Sequence, residues 1–147
     1  MADEGRIMGL DIGDVRIGVA LSDSLRMMAS PHSVVKEPSR EAAVRTIKRL
    51  VEETGAVLIV AGVPLNEAGG QGIQAEKTLA FVERLRAEVS VEVVLQDERY
   101  TTAAAERMLI GANLRRDRRR QVVDKIAATH ILQTYLDREA ARRRGAE

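Results

Sequence analysis

The segment IMGLDIGDVRIGVALSD, from Ile7 to Asp23, decides how the fold begins. It is almost entirely apolar, and it predicts two β-strands, Ile7–Ile12 and Arg16–Leu21, joined by a turn at residues 13–15. Such strands are expected to be buried on at least one face. Asp11 interrupts the first strand just before the turn. An ionised carboxylate in such a place is costly without a paired cation or a metal ion, so Asp11 is the first candidate functional residue.

The composition indicates a globular protein of one domain, residues 1–147. The chain is 45% hydrophobic and 31% charged, and because only 2% of it is aromatic the core is expected to be aliphatic. There is no cysteine, which excludes disulfides, thiolate zinc sites and cysteine nucleophiles. The polar N-terminus does not resemble a signal peptide, and the apolar runs are too short to span a bilayer. A soluble cytoplasmic protein without a membrane partner is therefore expected.

The charge is unevenly distributed along the chain. From Arg99 onward there are 12 Lys and Arg residues against 6 Asp and Glu residues, whereas the preceding part has 11 against 16. A basic C-terminal third suits a polyanion such as nucleic acid, although a solvated helix surface would give the same count. The densest run is expected to contact phosphate groups of a nucleic-acid backbone and comprises Arg115, Arg116, Arg118, Arg119 and Arg120.

The rest of the chain alternates between strand and helix patterns. A third strand at 27–35 contains Pro31, so it is expected at a sheet edge or bulged. Ser39 and Gly55 predict the two ends of the first helix. The further elements are a strand at 56–64, a helix at 73–89, a strand at 91–99, a helix at 101–113, an arginine-rich link at 114–121 and a last helix at 122–144, fraying from about 138. This order predicts an α/β fold with a mixed five-stranded sheet, antiparallel in its first three strands, and helices on both faces.

Three segments that are distant in sequence each offer a carboxylate from a largely apolar setting. Asp11 lies near the end of the first strand, Asp97 and Glu98 lie at the end of the fifth, and Asp124 lies on the last helix. If they meet, they repel one another unless a cation joins them, and oxygen ligands select Mg²⁺ or Mn²⁺. Two such ions form a clamp for phosphodiester cleavage. Whether Asp97 or Glu98 faces the metal depends on strand register, and Glu98 is preferred.

Each acid also has a structural alternative. Asp11 could cap backbone N–H groups in the turn, and one acid of the fifth strand could pair with Arg99. Asp124 could be the N-cap or a first-turn residue of the last helix. Against that, Asp124 shares one helix face with Ala127 and Ala128, whose small side chains would let the helix approach the sheet closely.

Four motifs occur in a recognisable order: GLDIGDVRIGVALSD, VAGVPLNEAGG, DERYTTAAAERML and VDKIAATHILQTYLD. Together they resemble the motifs of the YqgF/RuvX family, bacterial proteins described as pre-16S rRNA nucleases and Holliday-junction-resolvase homologues. The resemblance covers Gly9 to Asp137. It implies an RNase H-like fold and metal-dependent cleavage of RNA or DNA. Carried over by position, it implies catalytic roles for Asp11, Glu98 and Asp124, with Asp97 as the neighbouring acid. After PLN the chain departs from the common pattern, so no contact of the loop from Asn66 to Gly72 is carried over.

The resemblance favours processing of the 5′ end of pre-16S rRNA, with a ribosome or pre-30S particle as a further partner. It leaves open a monomer or a homodimer. The alternatives are a Holliday-junction resolvase, a non-catalytic ribosome-assembly factor, and a single-lobe ATP-binding protein. The last is kept because LDIGDVRIGVA also resembles the phosphate-binding hairpin of actin-like ATPases.

Four residues beside the acids are candidates for phosphate contacts. A positive charge, a hydroxyl group or a helix N-terminus would suit a phosphate there, whereas surface charge and helix capping are the alternatives. These residues are Arg16, Arg99, Thr101 and Thr102. Gly18 would allow close approach of a substrate, or it is an ordinary hairpin glycine.

Overall fold

The computed structural model describes residues 5–64, 72–98 and 116–146, together with the side chains of all but 116–122 and 146. A five-stranded sheet forms its centre, with the strand order β3-β2-β1-β4-β5. The strands are β1 Arg6–Ile12, β2 Ile17–Ser22, β3 Ala29–Val35, β4 Ala56–Pro64 and β5 Glu92–Glu98. The helices are α1 Arg40–Thr54, α2 Ile73–Glu88 and α3 Arg116–Ala146. Strands β1 to β3 are antiparallel, and β4 runs parallel to both β1 and β5, which confirms the predicted mixed sheet.

Local signals set the ends of α1 where the sequence predicts them. The Ser39 side chain accepts a hydrogen bond of 3.1 Å from the Ala42 N–H, the expected geometry of an N-cap. Gly55 adopts a left-handed backbone with φ of 74°, and its N–H donates to the Val51 carbonyl. A residue without a Cβ takes up this conformation at little cost, which is why glycine ends the helix.

Strand β3 lies at one edge of the sheet and is bulged, as its proline predicts. The pairing with β2 shifts between Val19, which faces Ser33, and Ala20, which faces Pro31. Proline has no N–H to donate to a ladder, so an edge with an irregular register accommodates it.

The alternation of side chains along each strand divides the core into two layers. Met8, Leu10 and Ile12 pack beneath α1 and α2 in one cluster of buried aliphatic residues. Ile7 points to the other face, where it packs with Ile131 of α3 and its neighbours. Because alternate residues of a strand share a face, Asp11 belongs to the side covered by α3. The helices therefore cover both faces, as expected.

Helix α3 begins earlier than the sequence pattern predicts. It starts at Arg116, so the expected arginine-rich link over 114–121 is wrong for residues 116–121, which are helical. Arginine and glutamine are good helix formers, and neither Gly nor Pro interrupts this stretch. Asp124 consequently lies in the third turn, and its interpretation as an N-cap or first-turn residue is also wrong. The helix continues to Ala146, beyond the expected fraying point at Arg138.

The last helix is polar despite its length of 31 residues. Within the described ranges, none of the helices is both long enough and apolar enough to cross a membrane. The predicted helix at 101–113 lies outside the described residues.

Candidate nuclease site

Asp11 lies where β1 ends, between two glycines on the neighbouring strands. In the sheet register it faces Gly18 of β2 on one side and Gly62 of β4 on the other. Neither neighbour has a side chain, so groups from other elements lie close over them: the Asp124 carbonyl over Gly18, and Ile131 and Glu98 over Gly62. The absence of neighbouring side chains leaves room beside Asp11 for other groups to approach it.

Small residues let α3 lie directly on this part of the sheet. A Cβ atom at Gly18 would collide with the Asp124 carbonyl oxygen, and one at Gly9 would come within 2.7 Å of the Leu132 Cβ. Ala127 and Ala128 of α3 are fully buried against the same surface. Gly18 thus serves the packing of α3, and this close packing holds Asp124 beside the end of β1.

Arg16 connects the β1–β2 hairpin to α3. Its Nε donates a hydrogen bond of 2.7 Å to Oδ2 of Asp124, and the two side chains are 22% and 18% exposed. Burial raises the pKa of Asp124 above its ordinary value, while the Arg16 guanidinium acts in the opposite direction. Arg16, the candidate phosphate contact, is therefore paired with Asp124, a candidate metal ligand.

The pleat of β5 separates the two acids at its end. Gln96 is buried, and its Nε2 donates 2.8 Å to Oε1 of Glu98 and 2.7 Å to the Ile131 carbonyl of α3. Glu98 therefore lies on the α3 face, where its Cγ is 3.0 Å from the position of a Cβ on Gly62. Asp97 is exposed and belongs to the opposite face, since successive side chains alternate.

The three carboxylates on the α3 face share one electrostatic environment. Burial, then the charge of Asp124, then that of Glu98 raise the pKa of Asp11 from 3.8 to about 7. Burial is thus the main reason that Asp11 holds its proton more tightly than an ordinary aspartate, and the repulsion of the two neighbouring acids adds to it. This is the repulsion that a bound cation would relieve.

These donors match a hard divalent cation in kind, and one of them is engaged elsewhere. Among the side chains that the structure describes, no three His, Cys, Asp or Glu residues form a group ready to hold a metal ion. Asp124 is bound to Arg16 instead. The predicted acids are therefore brought together around Asp11 without forming a closed set of metal ligands.

Comparisons with known proteins identify the family and the fold of this chain. The model of the RuvX family, described as Holliday junction resolvase, matches residues 5–138. The chain belongs to this family. Three relatives are provisionally named pre-16S rRNA nucleases. They come from Moorella thermoacetica (49% identity, 90% of this chain and 95% of the relative), Pelotomaculum thermopropionicum (49%, 96% and 92%) and Desulforudis audaxviator (47%, 90% and 94%).

Two solved structures resemble the RuvX-family chain in fold. Thermus thermophilus RuvC is 14% identical with a TM-score of 0.51 and covers 92% of this chain and 96% of its own. The fowlpox virus Holliday junction resolvase is 16% identical with a TM-score of 0.51 and covers 90% and 98%. These similarities confirm the RNase H-like fold that the sequence predicts.

The other predicted contact residues of this RuvX-family chain have no described side chains. Arg99, Thr101, Thr102 and Arg115 lie outside the described residues, as does the loop from Asn66 to 71. Only the backbone, in the first turns of α3, is described for Arg116, Arg118, Arg119 and Arg120.

Sequence reasoning missed Gln96, the residue that orients Glu98. A signal for it exists, because a residue two positions before an acid on a strand shares its face.

Proposed function

We propose that this RuvX-family protein is a nuclease that hydrolyses phosphodiester bonds with the help of Mg²⁺ or Mn²⁺. The observation that carries the proposal is that Asp11, Glu98 and Asp124 lie together on the α3 face, where burial and the two neighbouring acids raise the pKa of Asp11 to about 7. Acids from β1, β5 and α3 concentrate negative charge at one end of the sheet, and such a cost to stability is typical of a functional site. The nuclease names of the relatives support the same conclusion.

Asp11, Glu98 and Asp124 are the residues that would hold the metal. When bound, divalent ions would activate a water molecule and stabilise the leaving oxygen, and two such ions would form a clamp for this cleavage. Gln96 keeps the Glu98 carboxylate on the α3 face through its 2.8 Å hydrogen bond. Arg16 engages one oxygen of Asp124, Oδ2, so it would compete with a metal ion for this carboxylate.

The release of Arg16 would give that residue a second role. Arg16 directly precedes β2, the strand that pairs with β1 beside Asp11, and its guanidinium cannot lose its charge at physiological pH. Once separated from Asp124, it is free to form charge-assisted hydrogen bonds with the phosphate that is cleaved. Arg16 would then alternate between two partners: Asp124, as in the structure, and the phosphate that the sequence predicts.

Precursor 16S rRNA, cut at its 5′ end in the cytoplasm on a pre-30S particle, is the substrate that we propose first. Relatives that are 47% and 49% identical over 90% of this chain are named after pre-16S rRNA as the substrate of a nuclease. A four-way DNA junction is the second candidate, because the family description names Holliday junction resolvase.

Cleavage of both substrates tests the proposal. Labelled precursor rRNA and a labelled four-way junction are incubated with wild type and Asp11→Asn, with Mg²⁺, with Mn²⁺ and with EDTA. We expect Asp11→Asn to cut about 10³-fold more slowly, since metal-assisted catalysis contributes several kcal/mol to the barrier. Its affinity for nucleic acid should be retained.

Either of two results would contradict the metal-dependent mechanism: Asp11→Asn cutting at the wild-type rate, or wild type cutting equally well in EDTA. A wild type that binds precursor rRNA but cuts neither substrate would instead support the non-catalytic assembly factor.

A further inference from the structure

A basic cleft lies between α1 and α2, on the face of the sheet opposite to α3. It has a volume of about 490 Å³, and it is here called the α1–α2 cleft. Its lining consists of Asp14, Arg40, Lys77, Ala80, Phe81 and Arg84. Three of these six residues are cations and one is an acid. The acids around Asp11 do not line the cleft, so it is a separate feature of the same end of the sheet.

Arg40 is held in position in the cleft by two contacts. Its Nη1 donates 3.0 Å to the Gly13 carbonyl in the hairpin turn, and its guanidinium lies 5.1 Å from the centroid of the Phe81 ring. These contacts orient the charge before any ligand arrives, and the side chain remains 29% exposed. Arg40 is also the first residue of α1, where the helix dipole adds to a positive potential.

Lys77 and Arg84 complete the cleft from α2. They are seven residues apart, which places them on one face of the helix, two turns from each other. Lys77 Nζ lies 3.6 Å from Oδ1 of Asp14, and Arg84 Nη1 lies 2.6 Å from Oε1 of Glu41. All four of these side chains are between 52% and 64% exposed. Exposed ion pairs contribute little to stability, so an incoming anion can replace the acids at small cost.

The cleft includes residues that are close to Asp11 in sequence, but the sheet separates it in space from the acids on the α3 face. The Gly13 carbonyl that fixes Arg40 is two residues from Asp11. Because side chains of a strand alternate between faces, Asp11 faces α3 while the neighbouring turn meets the cleft. A polyanion that crosses this end of the sheet would meet the carboxylates on one side and the cations on the other.

We propose that the α1–α2 cleft binds a backbone phosphate of the nucleic-acid strand that flanks the cleaved bond. This inference rests on the proposed nuclease function and adds a contact surface to it. Arg40 and Lys77 contact the phosphate directly, and Arg84 extends the contact toward the next phosphate along the groove. These contacts position the strand and do not read its bases.

The test measures binding without cleavage, by fluorescence anisotropy of labelled RNA and junction DNA in EDTA, on the Asp11→Asn background. The test variant is Lys77→Gln with Arg84→Gln. The matched control is Arg49→Gln with Arg142→Gln, since these cations are also exposed and also form ion pairs, each with an acid of its own helix. We expect the test variant to weaken binding about tenfold and to lower the salt slope by about 1.4 to 1.8, while the control stays within about twofold.

A third variant is expected to act in the opposite direction. Asp14→Asn removes the acid whose Oδ1 lies 4.0 Å from Arg40 Nη2 and 3.6 Å from Lys77 Nζ, so it should tighten binding about threefold at low salt. Thermal melting of each variant checks that it is folded. The inference is overturned if the test variant binds like the control, or if Asp14→Asn weakens binding.

Two further arms separate the possible explanations. Calorimetric titration of wild type and the test variant with inorganic phosphate distinguishes a site for small anions from a nucleic-acid contact. The inference is overturned if the test variant loses phosphate binding while its nucleic-acid binding is unchanged. Cleavage by the same variants with Asp11 intact should show a KM raised more than kcat is lowered. If no variant and no wild type cuts while binding still falls, the nuclease proposal fails and the cleft remains a nucleic-acid contact.

Discussion

Asp11 and Arg40 lie on opposite faces of the same end of the sheet, and their surroundings differ in charge and in burial. Around Asp11, burial beneath α3 and then two further carboxylates raise its pKa to about 7. Around Arg40, cations predominate and the cleft is open to solvent. The alternation of side chains along the strands creates this separation. It places groups suited to bond cleavage on one face and groups suited to phosphate binding on the other.

Two ion pairs of similar geometry differ in how easily they can open, because one is more buried than the other. Arg16 with Asp124 and Arg84 with Glu41 have similar N–O distances, 2.7 and 2.6 Å. The first pair is 22% and 18% exposed, whereas the second is 55% and 64% exposed. Breaking the buried pair leaves a partly desolvated charge, whereas the exposed pair can open readily. Opening the Arg16–Asp124 pair beside Asp11 therefore costs more free energy than opening the Arg84–Glu41 pair in the α1–α2 cleft.

The largest expected difference between the two faces is in the cleavage rates of variants at Glu98 and at its neighbour Asp97. Glu98→Gln should lower the cleavage rate at least about 100-fold, since it removes a charge that the metal and transition state require. Asp97→Asn, on the opposite face, should stay within about twofold. Single-turnover cleavage of precursor rRNA with Mg²⁺ measures both variants. Equal losses in the two would show that the pleat does not separate the roles of these acids.

Arg16→Gln is expected to affect metal binding and cleavage in opposite directions. Without the guanidinium, Asp124 is released, so Mn²⁺ should bind about tenfold more tightly by calorimetry, equivalent to about 1.4 kcal/mol. The cleavage rate should nevertheless fall, because a phosphate contact is lost. Arg49→Gln, which breaks an exposed pair with Glu53, is the control and should alter neither quantity. Unchanged Mn²⁺ affinity in Arg16→Gln would disprove the competition.

A further expected effect is a change of stability with pH. Asp11 has a folded-state pKa of about 7, above its ordinary 3.8, so the charged form is disfavoured in the folded protein. Its contribution to stability is fully present below pH 3.8 and is lost as the pH rises through about 7. In EDTA, wild type should therefore lose stability relative to Asp11→Asn across this window. The difference should be a few kcal/mol at most, since one pKa unit equals about 1.4 kcal/mol.

Urea unfolding of both proteins between pH 4 and pH 8 measures this difference. A constant offset between them would mean that Asp11 does not titrate in this range. Addition of Mg²⁺ at pH 8 should reduce the difference, because the ion would favour the charged carboxylate.

Local patterns are sufficient to predict most of the framework. Asp11 in an apolar strand, Ser39 before α1, Gly55 after it and Pro31 in an edge strand each act through neighbours close in sequence. Capping, backbone conformation and the loss of a backbone donor are local effects, so the residues that cause them can be recognised without a structure. The start of α3 could not be predicted in this way. The arginine run there resembles a solvated link in composition, and it is helical.

The sequence by itself determined the α/β alternation, the aliphatic core and the presence of acids on three separate segments, because periodicity and composition record which faces are buried. Only the tertiary structure decided which acids meet. The choice of Glu98 over Asp97 depends on the register of β5, and the contact of Arg16 with Asp124 joins residues 108 positions apart. The α1–α2 cleft likewise brings a hairpin turn and two helices together. Such contacts depend on how distant segments pack, which no local pattern of residues specifies.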